Sequence, residues 1–409
     1  MVRPDRKYPE VLVPAGDRER LKAALDYGAD AIYLGGNQFT MRAAPANFSG
    51  EQLTEAVEMA HAKGVRVYLT CNTLPRNPEL QAFPQFLADA QAAGVDAVIV
   101  ADLGLLSMIR KYAPDMEIHM STQTGIVNYA TANMLYELGV RRVVLARELS
   151  LADIAEIRRN IPEDMEIEAF VHGAMCVSFS GRCLLSAYLT GRDANRGACA
   201  QPCRWKYHLM EETRPGQFFP VEEDDSGTYI MNAKDLCMID YIPELVQAGV
   251  SSLKIEGRAK SAYYVSVVAN AYRAAVDAFL AGEPLPQWVH DEVFHVSHRD
   301  YCTGFFFGHP KDCQRYEDNS YVRRSDVIGI VDQCRDGMVY ATQRNRFFAE
   351  DVIEILAPGK QPVEIMLNGR LYNGDGEQIE TANHAMMKMQ FPCDAEFPAG
   401  SVIRKRVCE

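Results

Sequence analysis

The sequence predicts a (β/α)8 barrel of the TIM type, followed by a small C-terminal β-barrel domain. Short apolar runs rich in β-branched residues alternate with longer amphipathic runs, and eight such units fit before Gly282. After Gly282 the long amphipathic runs stop and short strand-like runs follow. Alternating β and α units with near-continuous apolar strands indicate a parallel sheet. Eight units over about 250 residues favour a closed barrel over the alternative, an open doubly wound sheet.

The eight predicted strands are Glu10–Pro14, Ala31–Leu34, Val65–Thr70, Ala97–Val100, Glu117–Met120, Arg142–Leu145, Glu166–Phe170 and Ser252–Ile255. The predicted helices are Asp17–Tyr27, Glu51–Lys63, Leu80–Ala93, Gly104–Tyr112, Tyr129–Leu138, Ser150–Asn160, Ile239–Ala248 and Ser261–Leu280. Their apolar residues recur at spacings of three and four, as on one face of an amphipathic helix. Several of these helices are followed directly by glycine, which favours the left-handed conformation at a helix end.

Three segments follow from this pattern. Residues 1–282 form the predicted barrel, with a cysteine-rich insertion at 171–230. Residues 283–320 form a connector, and its aromatic stretch Tyr301–Pro310 is either packed or a loop over the site. Residues 321–409 form the predicted β domain, whose strand-like runs are Val327–Val331, Met338–Ala341, Asp351–Ile355 and Ser401–Arg404.

Composition limits the class of protein. The chain has 409 residues, of which 48% are apolar and 24% charged, as in a globular protein. No apolar run is long enough to span a membrane, and the N-terminal stretch lacks an apolar signal region. An odd number of cysteines, eleven, suits a reducing compartment, so we expect a cytoplasmic protein without a membrane partner. The net charge of −13 argues against polyanion binding over the whole surface but leaves room for a local basic patch.

Polar residues follow the predicted strands at the end of a barrel where active sites lie. Gln123, His172 and Glu256 are the candidate catalytic residues. The candidate substrate-binding residues at this barrel mouth are Arg42, Asn72, Arg147, Lys254 and Arg258. Such a mouth suits a small polar anion, because arginine binds carboxylates in a bidentate manner. Two alternatives stay open: His172 hydrogen-bonded within the barrel wall, and Glu256 paired with Arg258.

Four cysteines lie close together after strand 7, with the spacing C-x6-C-x15-C-x3-C: Cys176, Cys183, Cys199 and Cys203. The residues alone leave an iron–sulfur cluster, zinc, a reactive thiol or simple burial open. Zinc sites usually show two tight pairs, and here only Cys199 and Cys203 form one. Clusters tolerate irregular spacing. The insertion starts at the end of a barrel strand, so we expect it over the mouth.

Basic residues suggest anion contacts in three places. Arg192 and Arg196 flank a turn between the cysteines, as a phosphate or carboxylate site or a solvated loop. The runs Arg344–Arg346 and Arg404–Arg406 are either solvated or contacts to RNA.

Peptidase motifs are missing from the sequence: it has no H-E-x-x-H and no G-x-S-x-G, so hydrolysis has no evident mechanism.

Two motifs carry a family resemblance. The pattern E-x-F-x-H-G-A-x-C-x6-C-x-L-S spans Glu168 to Ser186, and G-R-x-A-N-R-G-x-C-A-Q-P-C-R-W spans Gly191 to Trp205. Together they resemble the collagenase-like peptidase family, and within it the branch of prephenate-dependent tRNA uridine hydroxylases. Shorter stretches such as Lys254–Arg258 extend the resemblance over nearly the whole chain.

The resemblance implies a function and its cofactors. The four cysteines would ligate a 4Fe-4S cluster, and prephenate would be a co-substrate. The reaction would convert the wobble uridine of tRNA to 5-hydroxyuridine without dioxygen. An anticodon loop gives up a base at low cost, because that base is unpaired. The family also leaves peptidase activity, or hydroxylation of ribosomal RNA cytidine or of a quinone precursor, as alternatives.

Overall fold

A computed structural model of the chain describes residues 9–41, 47–176, 183–192, 198–204, 222–224, 227–229, 232–308, 314–315 and 322–407. The chain divides into two compact units. Unit 1 comprises Met1–Leu21, Ala29–Lys260 and Arg299–Tyr321, and unit 2 comprises Lys22–Gly28, Ser261–His298 and Val322–Glu409. The domain boundaries expected at residues 282 and 320 stay predictions.

Unit 1 contains a closed ring of eight parallel strands. They are β1 (Glu10–Pro14), β2 (Ala31–Gly35), β3 (Arg66–Cys71), β4 (Ala97–Val100), β5 (Glu117–Met120), β6 (Arg142–Val144), β7 (Glu166–Ala174) and β8 (Ser252–Ile255). Each strand pairs with the next, and β8 pairs with both β7 and β1. The predicted barrel is therefore confirmed, and the open sheet is wrong.

Ten helices are described. They are α1 (Arg18–Asp26), α2 (Gly50–His61), α3 (Phe83–Ala92), α4 (Leu103–Tyr112), α5 (Tyr129–Glu137), α6 (Leu151–Arg159), α7 (Leu185–Thr190), α8 (Ile242–Gln247), α9 (Ala262–Ala281) and α10 (Gln287–Glu292). Short 3-10 turns occupy Glu79–Ala82, Thr122–Thr124, Pro202–Arg204, Ile239–Tyr241 and Val293–His295. Within the described ranges, none of the helices is long and apolar enough to cross a bilayer.

Local chemistry sets where these helices begin and end. Ser150 and Asp153 form a capping box at the start of α6, since each side chain accepts a hydrogen bond from the other's backbone N–H. Asp102 accepts the backbone N–H of Leu105 at the start of α4. Gly64, just beyond α2, has a φ of 70°, as predicted for a left-handed helix end.

Strand β7 is longer than the sequence indicates. It continues to Ala174, and its last three residues pair with a short antiparallel strand, Asp235–Cys237. A further strand, Tyr301–Cys302, pairs with that one. His172 was expected just after β7, but it lies within the strand. Other short pairs join Glu222–Asp224 to Gly227–Tyr229 and Asn232–Ala233 to Gln314–Arg315.

Unit 2 contains a seven-stranded antiparallel sheet. Its strands are β9 (Ser325–Arg335), β10 (Met338–Gln343), β11 (Val352–Leu356), β12 (Val363–Met366), β13 (Tyr372–Asn373), β14 (Lys388–Pro392) and β15 (Val402–Arg406), in the spatial order β12-β11-β15-β9-β10-β14-β13. A separate short pair joins Phe347–Phe348 to Thr381–Ala382. The all-β character of the C-terminal part is confirmed, and the described pairings leave β12 and β13 as sheet edges.

Arg404 corrects one expectation. The sequence suggested a solvated or RNA-contacting basic run, but Arg404 is only 1% exposed. Its guanidinium pairs with Glu292 (2.6 Å) and Glu354 (2.7 Å), both within unit 2. A buried arginine needs such carboxylates to replace its lost hydration. Arg404 is therefore a structural residue of unit 2.

Candidate active site

The C-terminal ends of the barrel strands surround a cavity of about 130 Å³. Six of the side chains predicted at the barrel mouth line it: Asn72, Gln123, Arg147, Lys254, Glu256 and Arg258. Ser121 and Thr122, which directly precede Gln123 after β5, also line it, as do Tyr33, Thr70 and Phe170, which were not among the predicted site residues. Parallel strands bring distant sequence positions to one end of the barrel. The structure thus gathers most of the predicted polar set around one space.

Lys254 is held by a buried carboxylate. Its ammonium lies 2.6 Å from Glu168 Oε1 and 4.6 Å from the centre of the Tyr33 ring. Burial acts to raise the pKa of Glu168, but the charges of Lys254 and Arg142 outweigh burial and lower that pKa below its ordinary value. Glu168 is therefore an anion that fixes the position of the Lys254 ammonium in the cavity wall.

Further charged side chains lie inside the barrel. Arg142 pairs with Glu10 (2.6 Å), Glu166 (2.7 Å) and Glu168 (3.1 Å). Burial, helped by the charge of Arg142, lowers the pKa of His119. From the sequence, Arg142, Glu10 and Glu166 are predicted only as strand residues, and Glu168 only as a strand residue that begins the family motif. Charged residues within otherwise apolar strands were the available signal, because such residues are rarely buried unless they are paired.

Arg258 is fixed by hydroxyl groups. Its Nη1 donates to Thr40 Oγ1 (2.8 Å) and to Thr70 Oγ1 (2.9 Å), and the residue is almost fully buried. A Cβ added at Gly16 would lie 2.1 Å from the backbone oxygen of Arg258, so glycine permits this close approach. The guanidinium is thereby oriented before any ligand arrives.

Arg147 and Gln123 keep hydrogen-bonding capacity toward the cavity. Arg147 Nη1 donates to the carbonyl oxygen of Ala174 (2.9 Å), and its guanidinium lies 4.1 Å from the centre of the Phe170 ring. Arg147 Nε and Gln123 Oε1 are buried, and neither has a hydrogen-bond partner in the part of the chain that the structure describes. Buried polar atoms normally have partners. One donor and one acceptor are therefore available to a bound molecule.

Glu256 lies beside Arg147, with Oε2 3.9 Å from Nη2. It was considered either as a catalytic group or as a partner of Arg258. In the structure this ion pair joins Glu256 to Arg147 in the cavity wall. Asn72 accepts the backbone N–H of Met41 (3.2 Å), which orients its amide at the same cavity. Neither contact removes these side chains from the cavity lining.

His172 is 1% exposed, and its Nε2 lies 3.3 Å from the hydroxyl oxygen of Tyr301. His172 is not among the described residues that line the cavity. This is the contact expected for a histidine hydrogen-bonded in the barrel wall. A catalytic role for His172 stays a prediction.

The four cysteines lie on three described segments. Cys176 follows β7 and is exposed, whereas Cys183, before α7, and the pair Cys199 and Cys203 are partly buried. Ser186 Oγ accepts the backbone N–H of Ala200 (3.0 Å), which ties α7 to the segment with the last two cysteines. The backbone N–H of Gln201 donates to Cys199 Sγ (3.3 Å). These thiols stay candidate ligands.

Three further arginines were predicted to bind substrate: Arg42, Arg192 and Arg196. Arg192 is exposed, next to the end of α7, and is not among the described cavity residues. Arg42 and Arg196 lie outside the described residues. Their predicted substrate contacts therefore stay predictions.

Two family models match the chain. Peptidase family U32 matches residues 16–316, and the peptidase family U32 C-terminal domain matches residues 323–404. The chain belongs to peptidase family U32. The first U32 match covers the barrel mouth and all four cysteines, and the second covers the sheet of unit 2. The family resemblance read from the cysteine motifs is confirmed.

Two relatives named for tRNA hydroxylation match over most of their length, and a third relative matches over about half. The "tRNA hydroxylation protein P1" of Bacillus subtilis is 36% identical over 98% of this chain and 95% of its own. The "tRNA hydroxylation protein P" of Escherichia coli is 38% identical, with 86% of each chain covered. The "23S rRNA 5-hydroxycytidine C2501 synthase" of Escherichia coli is 38% identical over 90% of this chain but only 52% of its own.

Proposed function

We propose that this protein is a tRNA hydroxylase that converts the wobble uridine to 5-hydroxyuridine, with prephenate as co-substrate and a 4Fe-4S cluster as cofactor. The observation that carries the proposal is similarity, over 86% or more of both chains, to two proteins named for tRNA hydroxylation. The ribosomal RNA enzyme is as similar in identity, but this chain spans only about half of it. Action on tRNA would place the protein in the cytoplasm.

The cysteines fit a cluster by the chemistry of their donor set. Four thiols on three segments, of which none is fully buried, can face one group from different directions. The N–H donated to Cys199 Sγ is the kind of hydrogen bond that stabilises a thiolate ligand and tunes a cluster's potential. Cys176, Cys183, Cys199 and Cys203 would hold the cluster, which would supply one-electron transfer.

Prephenate carries two carboxylates, and the cavity offers cations for both. Lys254, Arg147 and Arg258 line it, with Lys254 and Arg258 anchored from behind by Glu168 and by threonine hydroxyls. Arg147 Nε supplies a donor, and Gln123 Oε1 can accept a hydroxyl hydrogen. Because these groups are already oriented, binding costs little side-chain entropy.

Glu256 is the carboxylate of the described lining that can move a proton at this site. Replacing the C5 hydrogen of uridine by a hydroxyl oxidises the base by two electrons, so the co-substrate prephenate would supply the hydroxyl and accept the electron pair, and a protein group would accept the C5 proton. Its neighbour Arg147 stabilises the ionised form by charge. We therefore assign Glu256 as the proton acceptor, Gln123 and Asn72 as orienting groups, and the cations as substrate ligands.

The test is nucleoside mass spectrometry of tRNA from a strain that lacks the gene, complemented with variants. Wild type should restore 5-hydroxyuridine and its derivatives, and Cys199→Ser and Glu256→Gln should not. Cys71→Ser is the matched cysteine control, because Cys71 is buried in β3 away from the motif. Restoration by Cys199→Ser would contradict the cluster, and 5-hydroxycytidine restored in ribosomal RNA instead would contradict the choice of substrate.

Metal analysis of anaerobically purified protein separates the cofactors. Four iron and four sulfide per chain are expected, with loss of both in Cys199→Ser. One zinc per chain without sulfide would overturn the cluster assignment. Cleavage of collagen peptides by protein with all four motif cysteines replaced would support the peptidase alternative.

A further inference from the structure

Phe348 in unit 2 is an exposed aromatic residue on a rigid support. It is 43% exposed, although its neighbour Phe347 is completely buried in the core of unit 2. Both belong to the short strand that pairs with Thr381–Ala382. Asp351 Oδ2 accepts the backbone N–H of Phe348 (2.8 Å), which fixes the turn after this strand. The ring is thus held outward by the packing of its neighbour.

Two cations flank this ring. The guanidinium of Arg346 and the ammonium of Lys405 each lie 5.6 Å from its centre, within range of cation–π attraction. Lys405 is oriented by Asp351, at 3.0 Å. An exposed ring flanked by cations (here the cationic rim, Arg346 and Lys405) is an arrangement by which proteins bind single-stranded nucleic acid, with bases on the ring and phosphates on the cations.

Next to the ring lies an open cavity of about 780 Å³, which has Phe348 in its wall. Glu350, Gln378 and Glu380 also line it. The size lies within the range of small-molecule sites. Carboxylates accept hydrogen bonds from the amino groups of bases, and they repel phosphates. The charges are therefore arranged for a base in the cavity and its phosphate at the cationic rim.

We propose that this region, the Phe348 site (Arg346, Phe348, Glu350, Glu380 and Lys405), binds an unpaired nucleobase of RNA, with preference for a base that carries an amino group. Paired bases cannot stack on a side chain, so duplex RNA should not occupy the site. The proposal deepens the proposed function and rests on it, because it gives the tRNA substrate a second contact, outside the barrel.

The test measures binding of full-length protein to unmodified tRNA by fluorescence anisotropy over a range of salt concentrations. Phe348→Ala should weaken binding about ten-fold or more, since stacking on an aromatic side chain contributes that much per base. The slope of log affinity against log salt should stay unchanged. Arg346→Gln should weaken binding and reduce that slope by about 0.7, the value for one phosphate of a single strand.

Unit 2 supplies a matched control. Arg335 lies 4.7 Å from the centre of the Tyr340 ring, and neither residue is among those described in the cavity lining. Tyr340→Ala and Arg335→Gln should leave tRNA affinity within two-fold of wild type. Phe348→Leu, which keeps an apolar side chain but no ring, and Phe348→Trp, which keeps a ring, separate stacking from folding. Trp should retain affinity and Leu should lose it.

Base preference gives a further readout. Wild type should bind heptameric oligo(rC) or oligo(rA) more tightly than oligo(rU), and Glu380→Gln with Glu350→Gln should reduce the difference. If wild type binds tRNA and Phe348→Ala and Phe348→Leu bind equally well, the Phe348 site is overturned while the tRNA assignment stands. If wild type does not bind tRNA at all, the proposed function fails, and the site proposal fails with it.

Discussion

Replacing Glu168 by glutamine tests whether the barrel interior holds Lys254 in the cavity wall. The amide keeps the shape of the side chain but removes the charge 2.6 Å from the ammonium. Lys254 is only 4% exposed, so solvent compensates little for the lost charge. Removing one partner of a buried ion pair costs about 3–5 kcal/mol. Arg142 still has Glu10 and Glu166, so most of this loss should come from Lys254.

The reverse change should be milder. Lys254→Met leaves Glu168 ionised beside Arg142, at 3.1 Å, so we expect a loss of about 1–3 kcal/mol, the cost of a buried polar group that loses one of its partners. The double variant removes both charges and should cost about 2 kcal/mol less than the sum of the single variants. Urea unfolding followed by circular dichroism at pH 7 measures all three. Single losses below about 0.5 kcal/mol, or strict additivity, would refute the coupling.

The same pair predicts a pH dependence. The pKa of Glu168 is lowered in the folded state, so its contribution to stability is present above the pKa of an unfolded glutamate. That contribution is lost as the pH falls through the lower, folded pKa. Unfolding midpoints measured from pH 6 downward should therefore fall in wild type and change less in Glu168→Gln. Equal slopes for the two proteins would contradict an ionised Glu168.

Three further predictions follow from individual positions. Gly16→Ala should lower the free energy of unfolding in urea by about 1–3 kcal/mol or more, and with it the hydroxylation of tRNA, because the added Cβ would collide with the backbone after β8. The control is Gly50→Ala, which should change neither, because nothing lies within 4 Å of that added Cβ. Burial and the nearby charge of Arg404 lower the pKa of His295 to about 4. As the pH is lowered, the unfolded histidine takes up a proton before the folded one, so the thermal stability should fall between about pH 6.5 and pH 4. The control is His295→Asn, whose pH profile should lack this fall. Iodoacetamide should label Cys176 in the native apo protein but not Cys71. Cys176 is exposed, whereas Cys71 is buried and its burial raises the pKa of the thiol. Labelling of Cys71 in the native protein, detected by mass spectrometry, would contradict its burial.

Local patterns were enough for much of the fold. All eight barrel strands were predicted within a few residues, because a strand buried on both faces is a continuous apolar run. Strands β12, β13 and β14 of unit 2 were missed. Strand β12 is largely exposed and carries only one buried residue, Ile365, so it lacks the apolar run that marked the others. The strand Asp235–Cys237, which pairs with β7, and its own partner Tyr301–Cys302 are still shorter and have no periodicity to read.

The barrel mouth was predicted because chain direction puts residues after parallel strands at one end. That rule placed Gln123 and Arg258 at the cavity correctly, but it says nothing about what holds them. It also placed His172 beyond β7, since the apolar run stops at Val171 although the strand continues. Hydrogen bonding to the strand Asp235–Cys237 extends β7, and that partner lies more than sixty residues away in the sequence.

The sequence by itself determined the barrel, the order of its units, the cysteine motif and the membership of family U32. Each of these is encoded in local periodicity or in residue spacing. Only the tertiary structure decided that Arg142 meets Glu10 across 132 positions, that Glu168 holds Lys254, and that Arg404 is buried. Such partners depend on barrel closure and strand register, which bring distant residues together. A charged residue in a strand indicates that a partner is needed, but not which one.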